Sequence, residues 1–78
     1  MPARTKRKKD RDVEKPVTRE DFIDTLRRLA DGLEAEKAFV IQVRGERIRV
    51  PLKAKGSIEH EREGGADELE FQLKWQRR

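Results

Sequence analysis

Apolar residues recur first at helical and then at alternating spacing, and that change of period divides the chain into elements. Phe22, Ile23, Leu26, Leu29, Ala30 and Leu33 fall on one side of a helix, with Asp24, Thr25, Arg27, Arg28 and Asp31 on the other. A start signal precedes this stripe: Thr18 can accept the amide of Asp21, Asp21 can reach back to Thr18, and Val17 can pack onto Phe22. Glu20, Asp21 and Asp24 near the start and Arg27 and Arg28 near the end suit the helix dipole, and Gly32 supplies a left-handed stop. The spacing predicts a helix from Arg19 to about Asp31.

Beyond Gly32 the period becomes two. Phe39, Ile41 and Val43 share a face, as do Ile48 and Val50 after a turn around Gly45, which reads as a hairpin. A turn at Arg44-Gly45 pairs Ile41 with Ile48, whereas one at Gly45-Glu46 pairs Val43 with Ile48, and both keep the apolar faces matched. Pro51 has no N–H for the ladder and ends the strand, so Leu52 to Lys55 reads as a connection. A second hairpin follows, Ser57 to Glu63 and Glu68 to Gln76, joined at Gly64-Gly65, where glycine tolerates positive φ. In its last strand Leu69, Phe71, Leu73 and Trp75 alternate strictly with polar residues.

One amphipathic helix and two amphipathic hairpins share a core as two layers, so the expected fold class is α+β, a helix across an antiparallel sheet of about four strands. The expected core is Phe22, Ile23, Leu26, Leu29, Leu33, Phe39, Ile41, Val43, Ile48, Val50, Ile58, Leu69, Phe71, Leu73 and Trp75. That core is lean for stable folding, and a fold of this kind would gain from dimerisation or from a helping strand at Asp12 to Val17. In a meander Arg47 and Arg49 would sit beside Glu59 and Glu61, which in turn neighbour Glu68 and Glu70. With all four aromatics in the inward set, the sheet is a poor platform for nucleic acid.

Charge adds a second division. Charged residues make up 46% of the 78 and the formal net charge is +4. Met1 to Val17 holds seven basic against three acidic residues, while Thr18 to Arg78 holds thirteen of each, so the whole excess lies in the N-terminal arm. Its first nine residues carry five cations, no acid and no large apolar residue beyond Met1, too little apolar surface to offset chain entropy. The expected organisation is a disordered basic arm over residues 1–16 and an α+β domain over residues 17–78.

Taken in order, Thr18-Arg19-Glu20 opening the helix, Leu29-Ala30-Asp31-Gly32-Leu33 closing it, Val50-Pro51 ending a strand and Glu68 to Trp75 closing the domain resemble the amphi-Trp domain family of small bacterial and archaeal proteins. The resemblance runs from about Thr18 to Trp75 and leaves the arm outside. It implies the fold and assigns no activity.

Candidate chemistry is sparse. With no Cys, disulfides, thiolate catalysis and nearly all structural zinc chemistry drop out, and the chain fits a reducing cytoplasm. No apolar run approaches the roughly 18 residues of a membrane span, so a soluble, unprocessed protein without membrane insertion is expected. His60 reads as an edge residue because a metal site needs further ligands, and Ser57 has no partnered base nearby. Glu59, Glu61, Glu68 and Glu70 read as a solvated strand face, and Trp75 as a structural core marker. No catalytic residue, metal or cofactor is expected, and the protein reads as a non-enzyme.

Arg4, Lys6, Arg7, Lys8, Lys9 and Arg11 remain as a basic cluster suited to phosphates or another polyanion. The leading expectation is therefore a binding or adaptor module associating with nucleic acid, without sequence preference, through its arm. The alternative is a structural or protein-interaction module, acting by self-association as a homodimer or by sheet-edge docking, with the arm a spectator.

Overall fold

The structure, a computed structural model, describes residues 10–77. In chain order these form α1 (Arg19–Glu34), β1 (Phe39–Val43), β2 (Glu46–Val50), β3 (Lys55–Glu63) and β4 (Ala66–Lys74). The α+β class and the two antiparallel hairpins are as the periodicity predicts.

Thr18 starts α1 as expected. It is extended, its Oγ1 accepts the Asp21 amide at 3.1 Å, and its carbonyl accepts the Phe22 amide at 2.9 Å. Residues 12–17 before it form no strand.

The helix end differs from expectation. Gly32 is helical, α1 runs on to Glu34, and the left-handed residue is Glu36, with φ 57°. The Lys37 amide reaches the Gly32 carbonyl at 2.9 Å and the Glu36 amide reaches that of Leu33 at 3.1 Å, the paired closure that a left-handed residue permits. A Cβ at Gly32 would lie 3.7 Å from the Lys37 carbonyl oxygen and 4.0 Å from the Phe39 Cβ, ordinary van der Waals contact, so neither φ nor space demands glycine there. The extra length also leaves Arg27 and Arg28 away from the helix end, whose last turn has no basic residue.

In the first hairpin Arg44 and Gly45 both have positive φ, 51° and 83°, which is the primed two-residue turn. It pairs Ile41 with Ile48 and Phe39 with Val50, deciding between the two registers. Gly64 and Gly65, at 55° and 82°, turn the second hairpin in the same way, pairing Ile58 with Phe71 and Glu61 with Glu68. Its ladder starts earlier than expected, at Lys55, and ends at Lys74, so Trp75 lies just beyond the strand.

The four strands form two two-stranded sheets rather than one. Pro51 has no N–H with which to begin a β2–β3 ladder, and a turn closed by the Ala54 amide on the Pro51 carbonyl at 3.2 Å separates the two strands. Arg47 and Arg49 consequently face Gln42 and Val40, not Glu59 and Glu61.

Splitting the sheet divides the expected core. Phe39 and Val50, 8% and 7% exposed, are the buried apolar residues among those described. They lie where β1 packs on α1, with the Arg28 guanidinium 5.3 Å from the centroid of the Phe39 ring. The half-buried residues of α1 are Thr25, Leu29 and Gly32, so the helix rests on the first hairpin through one flank of its apolar stripe. Ile41, Val43, Ile48, Leu73 and Trp75 are also half-buried, while Phe22, Ile23, Leu26, Leu33, Ile58, Leu69 and Phe71 are exposed.

Candidate interaction site

Seven of the ten exposed large apolar residues among those described lie on α1 and the second hairpin. Strand alternation puts Ile58, Leu69, Phe71 and Leu73 on one face of the second hairpin, and the register sets Ile58 directly across from Phe71. Helical spacing brings Leu33 and Leu29 to the same place from α1, and the two elements enclose an apolar cleft of about 340 Å³. Phe22, Ile23 and Leu26 continue the stripe toward the helix start.

Water reaches this surface freely. Ile58 is 67% exposed, Leu69 and Phe71 63% each, and Phe22 55%. At about 150–250 Å² for a large side chain, these seven exposed residues together leave roughly 550–950 Å² of apolar surface open. The amphipathic pattern picks out every one of these residues in the sequence, but as interior.

The opposite face of the second hairpin is acidic. Glu59 stands across from Glu70 and Glu61 across from Glu68. The Gln72 side-chain amide donates to Glu59 Oε1 at 3.1 Å and to Glu70 Oε1 at 3.0 Å, bridging one pair. Glu68 lacks that bridge, and its carboxyl titrates above the usual carboxylate range because of the charge of Glu70, a hydrogen bond with it, slight burial, and the charges of Glu61 and Glu14. Among the described residues no group of acids and His is arranged to hold a metal ion.

His60 lies beside the apolar face, as the alternation requires. Its Nε2 is 2.7 Å from Asp67 Oδ1, which also accepts from Arg62 Nε at 2.9 Å, so the three form an exposed polar cluster near the hairpin tip. Ser57 Oγ meets the Gln72 side-chain oxygen at 3.4 Å. Trp75 is half-buried, on the opposite end of this hairpin from its turn.

Of the arm candidates, Arg4, Lys6, Arg7, Lys8 and Lys9 lie outside the described residues. Arg11 is turned onto the first hairpin: its Nη2 donates to the Val43 carbonyl at 2.8 Å and to that of Arg44 at 3.3 Å, and its Nε is 3.2 Å from Glu46 Oε1. No described helix is long and apolar enough to cross a membrane.

The family model of the Amphi-Trp domain matches residues 5–78. The match reaches further toward the N-terminus than the resemblance from Thr18 and takes in most of the basic arm. No curated protein and no solved structure matches the chain.

Proposed function

The chain belongs to the Amphi-Trp domain family along nearly its whole length, and from that premise we propose that it is a self-associating interaction module, two copies docking through the apolar cleft between α1 and the second hairpin. The observation that carries this is the apolar cleft that Leu29 and Leu33 of α1 form with Ile58, Phe71 and Leu73 of the second hairpin, in which Ile58 and Phe71 stay 67% and 63% exposed with no cover in the single chain. A second copy is the occupant of choice because small domains with little core rely on disulfides, metals or oligomerisation. This chain has no Cys, and its described residues hold no metal cluster. The face also carries no net charge to repel its like, since His60 and Arg62 surround the carboxylate of Asp67.

Of the arm's basic candidates, Arg11 takes no part in this reading, because it is engaged by Glu46. Sedimentation velocity on the full chain at micromolar concentration should show a dimer, and Ile58→Glu, which sets a charge in the middle of the cleft, should show a monomer with its far-ultraviolet dichroism retained. A wild-type chain monomeric at 100 μM, or a variant as dimeric as the wild type, would refute it.

A further inference from the structure

A second concavity, of about 610 Å³, opens at the end of the second hairpin away from its turn. Its walls are Lys53 from the turn after β2, Lys55 from the first position of β3, Lys74 from the last position of β4, and Trp75 beyond it, with Ser57 and Gln76 adding neutral polar groups. Lys55 and Lys74 are direct cross-strand partners. Like charges placed so oppose strand pairing. Among the described residues none of the three lysines is paired with a carboxylate, so nothing described offsets that repulsion.

An anion would offset it, and the lining says which kind. Three ammonium groups suit phosphate oxygens. An inorganic ion would have no use for an indole wall, whereas a nucleobase stacks on one. The volume lies within the range of small-ligand pockets. We infer that this cleft binds a nucleotide unit, its phosphates on Lys53, Lys55 and Lys74 and its base against Trp75. The same chemistry is offered by a free nucleotide and by a segment of single-stranded nucleic acid. No described residue of the arm lines the site, and it shares only Gly56 and Ser57 with the apolar cleft on the hairpin's flank.

Trp75 is the chain's single tryptophan, so its fluorescence reads the site directly. The full chain is titrated at 50 mM salt with ATP, with an eight-nucleotide oligothymidylate and with tripolyphosphate, which has phosphates and no base. Quenching by ATP or the oligonucleotide, at least tenfold tighter than any effect of tripolyphosphate, is the expected result. Quenching by ATP alone assigns a free nucleotide, and a stronger effect of the oligonucleotide assigns a strand. With three contacts, log affinity for the oligonucleotide should fall with log salt at a slope of about −2. Lys55→Gln and Lys74→Gln should each weaken binding about fivefold to tenfold while their melting temperatures stay level or rise, because each removes the Lys55–Lys74 repulsion. A structural role for these lysines would lower the melting temperature instead. No quenching at millimolar ligand, equal binding of tripolyphosphate, or binding lost on changing Arg4, Lys6, Arg7, Lys8 and Lys9 to Gln but kept in both lysine variants would each overturn the assignment.

Discussion

Replacing Phe71 by Ser separates what this side chain contributes within one copy from what it contributes between two. It is 63% exposed in the isolated chain, so roughly 130 of about 200 Å² is open to water. At about 25 cal/mol per Å², the covered remainder is worth about 2 kcal/mol to folding of the single chain, and the open part about 3 kcal/mol per copy on association. A symmetric dimer loses the open part twice, about 6 kcal/mol, which raises its dissociation constant by about four orders of magnitude. Sedimentation equilibrium measures that constant, and thermal unfolding across a hundredfold range of concentration gives an independent check. The wild-type midpoint should rise with concentration and the variant's should not. If the wild-type midpoint is flat, or if Phe71→Ser lowers it equally at every concentration, the ring acts only within its own chain and the account of the cleft is wrong.

Three further outcomes follow from local geometry. Thr18→Ala removes the acceptor of the Asp21 amide and should cost about 1 kcal/mol in chemical denaturation, with Thr18→Ser nearly neutral. Glu36→Gly relieves a left-handed side chain, whose strain of about 1–2 kcal/mol exceeds the entropy glycine adds to the unfolded chain, so stability should rise by about 0.5–1 kcal/mol. Glu68→Gln should raise the melting temperature at pH 7. The Glu68 carboxyl is raised in the folded state, so the native chain holds that proton more tightly, and the penalty sets in above the unfolded value of 4.5 and is full above the folded pKa; the variant's advantage should shrink on acidification and vanish below pH 4.5. An advantage that grows on acidification would contradict the assigned cause.

Much of the fold is legible in the sequence because local rules act on neighbouring residues. Thr18 caps α1, Pro51 ends β2 and Gly64-Gly65 turns the second hairpin, each through an interaction spanning a few positions. Gly32 misleads because glycine permits a left-handed stop without imposing one: the helix continues through it to Glu34, and Glu36 takes the left-handed position instead. Alternation marks Ile58, Leu69 and Phe71 as residues to be covered but does not name the cover. That depends on whether β3 pairs with β2, a contact between elements that the period of either strand leaves open. Lys53, Lys55, Lys74 and Trp75 form no motif in the sequence, because they converge only once the ladder sets Lys55 against Lys74.

Gly56 and Ser57 line the apolar cleft and the lysine-lined cleft alike. Two sites that share a wall are coupled wherever filling one displaces that wall, and any such coupling is reciprocal: whatever factor the docking of a second copy applies to nucleotide affinity, the nucleotide applies to dimerisation. Under such coupling the protein's concentration and the nucleotide level act on one equilibrium, so the oligomeric state of this 78-residue chain would depend on both.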